Sequence, residues 1–185
     1  MSPAPLDVPL LVHPPVLLRA FTAADASLVV EASRDPYILA TTTVPQVPDP
    51  DAVEALLERQ HERARSGTGW SLAICEARTG AGQGQIGLWP RGQGRASVGY
   101  WVAPSSRRRG VAAAALECLS RWALEDLGLA RLELYGEPWN TGSLRAAVTA
   151  GYEREGLMRS FRGVNGQRRD MLLLARLRAP GVPAG

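Results

Sequence analysis

Residues Ala96–Leu127 read ASVGYWVAPSSRRRGVAAAALECLSRWALEDL, and this stretch decides the fold. Val98, Tyr100 and Val102 fall on one face of a predicted strand, with Gly99 and Trp101 on the other. A turn containing Pro104 and an arginine run follows, and Gly110 then opens a helix. Along that helix Val111, Ala115, Leu119, Trp122 and Ala123 recur at helical spacing. A strand feeding a helix through a tight turn leaves the first helical amides unpaired. Those donors, with the positive end of the helix dipole, suit phosphate oxygens.

The turn itself, Arg107-Arg108-Arg109-Gly110-Val111-Ala112, fits the pattern Arg/Gln-x-x-Gly-x-Gly/Ala. Small residues at 110 and 112 allow a ligand to approach the backbone closely. The phosphotransferase loop GxxxxGK[ST] is excluded, because the chain has no lysine, and the dinucleotide fingerprint GxGxxG is excluded by its glycine count. The three arginines are open to three readings: guanidiniums beside a phosphate site, a nucleic-acid patch, or a solvated loop. The flanks lack the aromatic or basic company a nucleic-acid patch needs, and the Gly-x-Ala favours phosphate.

Outward from this centre, 185 residues make about one domain with room for a proper core. A net charge of +3 suits acidic small ligands better than wrapping of nucleic acid. Cys75 and Cys118 each sit in an apolar run and read as buried thiols. With His13 and His61 they are too scattered for a zinc site, so no metal is expected. Met1 to Val16 lacks the basic start and uninterrupted apolar core of a signal peptide, and no run reaches membrane-spanning length. The chain is expected to be cytoplasmic.

In chain order, Val16–Arg19 reads as a first strand, and Thr22 to Asp25 opens a helix that stops before Asp35-Pro36. Asp49-Pro50-Asp51 opens a second helix, ended at Ser66-Gly67. Trp70–Cys75, Gln85–Trp89 and the central strand follow as antiparallel partners, giving a β-α-α-β-β-β front half. Beyond the central helix come Gly128 as a cap, a strand Arg131–Tyr135, a short helix Thr141–Ala150 closed by Gly151, and strands Tyr152–Met158 and Arg169–Leu177. The last of these is apolar on both faces, as in a covered sheet. The tail Pro180–Gly185 is expected to be loose. Tyr37–Pro48 and Phe161–Gly166 have the least regular pattern and read as loops.

VLLRAFTAADA near the start, SVGYWVAPSSRRRGVA, NTGSLRAAVTAGYEREG and GQRRDMLLLARL together resemble the GNAT superfamily of acyl-CoA-dependent N-acyltransferases, in its RimJ/RimL-type branch. The resemblance covers Val16 to Leu177 and implies a single α+β domain (α/β mixed) spanning residues 1–185. Its sheet would be mixed and mostly antiparallel, flanked by helices and splayed between the fourth and fifth strands. It further implies a transferase moving an acetyl group directly from acetyl-CoA to a primary amine, most notably a protein or peptide N-terminus. A small amine such as an aminoglycoside, polyamine or amino acid is the alternative acceptor. A non-catalytic acyl-CoA-binding regulatory module is the alternative class, and homodimers are common among relatives.

Carried onto this chain, the resemblance puts coenzyme A against Trp101, Val102, Arg107, Arg108, Arg109, Gly110, Val111, Ala112 and Asn140. The pantetheine arm would fill the gap in the sheet, with an amide of Trp101 or Val102 facing the thioester oxygen. Asn140 would bond pantetheine amides, although its position also fits plain helix capping. Ser143 would serve the departing thiolate, because the following helix lacks the tyrosine that many relatives use. Glu133 and Glu137 are the candidate bases, Glu137 standing closer to the expected site; either could equally be a surface carboxylate. An α-amino group of pKa about 8 needs less help than a lysine to be neutral. No cysteine lies near these motifs, so attack on the thioester is direct. Trp139 stands where the family has a polar residue, and either shapes the acceptor pocket or covers the cofactor. Trp70 reads as core.

Overall fold

Two apolar clusters on opposite faces of one sheet define the architecture. The computed structural model describes residues 4–179, so the tail Pro180–Gly185 lies outside the described residues. Strands β1 (Leu11–His13), β2 (Val16–Arg19), β3 (Trp70–Glu76), β4 (Gly82–Gly92), β5 (Arg95–Val102), β6 (Arg131–Gly136), β7 (Glu153–Val164) and β8 (Gln167–Leu177) form a single sheet in the order β1-β2-β3-β4-β5-β6-β8-β7. Every neighbouring pair is antiparallel except β5–β6. That parallel pair needs a crossover, supplied by α4 (Val111–Glu125). The mixed, mostly antiparallel sheet is the one expected.

Period-two alternation distributes the side chains. Leu72, Ile74, Val98 and Val102 enter the cluster that α4 covers with Val111, Ala115 and Leu119. Ala73, Cys75 and Trp101 face the other way, into a cluster closed by α1 (Ala26–Ala32), α2 (Pro36–Thr41) and α3 (Pro50–Arg65). In α3 the buried residues Val53, Leu56, Gln60 and Ala64 make one stripe. Asp49 caps this helix by accepting from the Ala52 amide at 2.8 Å, with Pro50 at its first position. Burial pushes the thiols of Cys75 and Cys118 up to about 11, which keeps both protonated and unreactive. Trp70 is core, packed edge-on against Trp122 with ring centroids 5.2 Å apart.

Four expectations need correction. A strand, β1, precedes Val16, so the gap foreseen between the fourth and fifth strands lies between β5 and β6. Residues 37–48 are not all loop: Asp35 accepts from the amides of Tyr37 and Ile38, both at 2.9 Å, and with Pro36 nucleates α2. That helix has six residues, too few for a 3.6-residue period to show. Phe161–Gly166 is not a loop either. β7 runs on to Val164, and Asn165 (φ 48°) with Gly166 (φ 73°) turn the chain directly into β8. The first helix starts as a 3-10 turn at Ala23–Asp25, where Asp25 pairs with Arg19 at 2.7 Å and accepts from the Thr22 amide at 2.8 Å.

Candidate active site

The parallel register of β5 and β6 runs from Arg95 opposite Arg131 to Val98 opposite Leu134 and then stops. Beyond that point the strands part, and Gly99–Val102 keep main-chain partners on the β4 side alone. Which amides face the gap follows from register. Ala103 donates to the carbonyl of Gln83 at 2.9 Å, and the pairing holds the same register through Trp101 with Gln85. Strand amides alternate sides, so Trp101 points its N–H at β4, while Tyr100 and Val102 point theirs into the gap. Of the two amides foreseen at the thioester, Val102 has the right direction. Trp101 contributes differently: its indole N–H donates to Gln85 Oε1 at 2.7 Å and the ring closes the opposite core.

The turn after β5 carries the second set of free donors. Gly110 holds φ at 76°, a left-handed conformation that favours glycine, and a Cβ there would project into open space. Glycine is needed for the backbone angle, and the emptiness leaves room for a ligand. No side chain caps α4, and the first helical hydrogen bond at this end is Ala114 N–H to the Gly110 carbonyl at 3.0 Å. Among the described residues the amides from Arg108 to Ala113 have no protein acceptor. Arg108 also has a positive φ, 62°, which folds the peptide units into a concave run of N–H groups. Val111 buries its side chain in the core, so only its amide is on offer; Ala112 is small enough to leave that amide accessible.

The three arginines part company here. Arg107 is tethered: its guanidinium pairs with Asp35 at 2.7 Å, and its Nε donates to the Val102 carbonyl at 3.0 Å. It braces the gap against the capped start of α2. Burial alone would raise the Asp35 carboxyl, but the Ile38 amide and Arg107 together hold it below the ordinary carboxylate range. Arg108 and Arg109 are exposed at the mouth of the amide run and belong to no ion pair among the described residues.

Across the gap, Asn140 Oδ1 accepts from the Ser143 amide at 3.2 Å and so caps α5 (Thr141–Thr149), while its NH₂ group faces the Tyr37 hydroxyl. Ser143 Oγ lies 2.9 Å from the Tyr100 hydroxyl, a contact that sequence reasoning missed. Burial raises the Tyr100 phenol, against the opposing effect of its bond to Ser143, so it stays protonated near neutrality. The two candidate bases also separate. Glu133 is bonded by Arg131 Nε at 2.8 Å and the Tyr135 hydroxyl at 2.8 Å, with Arg95 3.8 Å away, which makes it a structural carboxylate. Glu137 is 3% exposed, with Arg169 at 3.9 Å as its nearest cation, and it borders the cleft. Tyr37 on α2 faces Glu137 and Asn140, and burial pushes its phenol up to about 12. Trp139 is exposed and meets Tyr37 edge-on at 5.0 Å, on the acceptor side of the gap.

Tyr37, Tyr100, Glu133, Glu137, Asn140 and Ser143 line one cleft of about 1060 Å³, and the turn from Arg107 to Ala113 lies outside its lining. No cluster of His, Cys, Asp and Glu among the described residues could hold a metal ion, and no described helix is long and apolar enough to cross a membrane.

A sheet parted beside a run of free amides, with a hydroxyl pair and a carboxylate across the gap, is the arrangement of an acyl-transfer enzyme. Residues 16–153 match the model of the acetyltransferase (GNAT) domain, and the chain belongs to that family. It is 22% identical over 163 residues to the uncharacterized N-acetyltransferase p20 of Bacillus licheniformis, across 87% of this chain and 92% of that one. The fold superposes on Mycobacterium smegmatis RimJ in complex with CoA-disulfide with a TM-score of 0.78 and 27% identity, covering 96% of this chain and 90% of RimJ. Ribosomal-protein-S5-alanine acetyltransferase from Vibrio fischeri has the same fold, with a TM-score of 0.75 and 17% identity over 96% of this chain and 100% of that one.

Proposed function

We propose that this GNAT acetyltransferase transfers an acetyl group from acetyl-CoA to the α-amino group of a protein or peptide N-terminus. The observation that carries the reading is the pairing of an open sheet gap with the free amides from Arg108 to Ala113. These residues fit coenzyme A: Arg108–Ala113 amides for the diphosphate, the Asn140 NH₂ for the pantetheine amides, and the gap for the arm. Bound there, acetyl-CoA supplies the thioester carbonyl that the amine attacks.

The chain's own groups then have distinct work. The Val102 amide donates to the carbonyl oxygen as it gains negative charge, inside a sheet where water competes poorly. Ser143 donates toward the departing sulfur, its hydroxyl is replenished by Tyr100, 2.9 Å behind it, and Tyr100 regains its proton from water in the cleft it lines. A lone serine is a weak acid; a serine backed by a phenol is a short relay. Glu137, buried and lightly paired, receives the proton that the amine releases. An α-amino group, neutral in part near pH 8, asks little of that carboxylate.

The acceptor cleft also bears on the choice of amine. Glu133 is neutralised by arginines, so a polycationic drug would find one buried carboxylate, Glu137, and four arginines. Thiol release from acetyl-CoA, screened against N-terminal peptides and small amines, tests the reading. Turnover with peptides and poor turnover with aminoglycosides and polyamines is expected. Tight coenzyme A binding with no acceptor turned over would instead mark a regulatory module.

A further inference from the structure

On the acceptor face the cleft has a second feature, away from the reacting groups. Trp89 lies flat across β4 and β5 because Gly87 and Gly99 carry no side chains. A Cβ at Gly87 would fall 2.5 Å from Trp89 Cη2, and one at Gly99 would fall 3.1 Å from Cζ3. The indole is therefore a floor laid directly on the backbone. Arg63 of α3 stands over it, with Cζ 5.7 Å from the ring centroid. Beside it, Arg91 Nε donates to Ser97 Oγ at 3.0 Å, and Arg162 borders the cleft from β7.

These cations lack counter-charges. Arg95 shares Glu133 with Arg131, but Arg63, Arg91 and Arg162 have no carboxylate within 4.0 Å among the described residues. Arg63 is also half-buried and fixed: Nη1 donates to Gln60 Oε1 at 2.9 Å. The same Gln60 oxygen accepts from Ser71 Oγ at 2.8 Å and Gln85 Nε2 at 3.2 Å. Burial, followed by the nearby Arg59 charge, makes Arg63 a less stable cation than usual. Arg63 over the ring and Arg91 beside it turn two cations on one floor, and an anion between them removes their repulsion. Arg162 stands nearer Tyr37, at the reacting end.

The spacing says where the anion sits on the acceptor. Trp89 is level with Ser97 in the register, while Gln85 and Trp101 are level with the reacting end. Four strand residues separate the two levels, about 13 Å at 3.3 Å per residue. An extended peptide whose amine reaches Glu137 spans that distance with its third to fifth residues. Resting on the N-terminal acetyltransferase reading, we infer that the preferred acceptor is an acidic N-terminal peptide, with carboxylate side chains at its third to fifth positions held over Trp89 by Arg63 and Arg91.

The test compares short peptides sharing one N-terminal residue and carrying Asp, Asn or Lys at positions three to five, with thiol release from acetyl-CoA as the readout. The Asp peptide should exceed the Asn peptide about tenfold in kcat/KM, through KM, and its advantage should shrink as salt is raised. Arg63→Glu, or Arg91→Glu at the more exposed site should Arg63→Glu fail to fold, should reverse the order in favour of the Lys peptide. Equal kcat/KM for Asp and Asn peptides would overturn the inference and leave N-terminal acetylation standing. A small amine carrying a phosphate and outrunning every peptide would overturn the peptide assignment. If no peptide is acetylated while coenzyme A binds, the inference and the function beneath it both fail.

Discussion

The two halves of the site are built from different materials. In the proposed site the donor half, from Val102 to Ala113, is made of main-chain N–H groups, a glycine at φ 76° and one helix end. The proposed acceptor half is made of side chains: Tyr100, Glu137, Ser143, Trp89 and arginines from several elements line its cleft. A main-chain site depends on backbone angles and tolerates side-chain change, whereas a side-chain site fails when single groups are trimmed. That difference sets the expected response of each half to mutation.

The largest effects belong to the reacting groups. Glu137→Gln should lower kcat by about a hundredfold near neutral pH. The deficit should narrow as pH rises past about 8, because the free α-amino group is then already deprotonated. Ser143→Ala should cost a similar factor in kcat while leaving coenzyme A affinity intact, and Tyr100→Phe should cost less. If Tyr100 supplies its proton through Ser143, adding Tyr100→Phe to Ser143→Ala should change kcat little further. Steady-state rates and calorimetric affinities separate these outcomes from simple misfolding.

The donor half should behave in the opposite way. Arg108→Ala and Arg109→Ala should each weaken coenzyme A binding only about threefold, as exposed charges beside a phosphate site do. Gly110→Val forces a β-branched residue into a left-handed angle and should weaken binding at least about tenfold by calorimetry. Comparable losses from all three substitutions would erase the distinction between the halves.

The smallest effect falls where the halves meet, at Asp35. This carboxylate caps α2 and holds Arg107, which in turn bonds the Val102 carbonyl. Asp35→Asn keeps a capping oxygen but removes the charge that pairs with Arg107 and meets the start of α2, and should lower stability by about 0.5 kcal/mol. Asp35 is held below its ordinary value in the folded chain, so its contribution is fully present above the unfolded pKa of about 3.9. It is lost as pH falls through the lowered value. Melting curves of the two chains should therefore differ at pH 7 and converge in strong acid.

The same division explains what could be read in the sequence. The donor half is contiguous, and a turn made of main chain leaves its mark as Gly110 and Ala112 at fixed spacing. The parted sheet came with the family resemblance, and the register ending at Val98 and Leu134 agrees with it. The acceptor half left no such mark. Tyr100 and Ser143 are 43 residues apart and touch only because two strands diverge. Arg63, Trp89, Arg91 and Arg162 come from three elements, and the two glycines under Trp89 read as ordinary strand residues until the ring is seen lying on them. The missed elements were too short or too polar: β1 has three residues, and the far end of β7 is exposed on both faces, so no alternation appears.

The central claim is that main-chain hydrogens between Val102 and Ala113 receive the donor. Titrating coenzyme A into the ¹⁵N-labelled chain and following each amide resonance tests it most directly. The amides of Arg108, Arg109, Gly110, Val111, Ala112 and Ala113 should move most, and Val102 should move with acetyl-CoA. Saturable binding that left those amides unmoved, or no binding at all, would contradict the account.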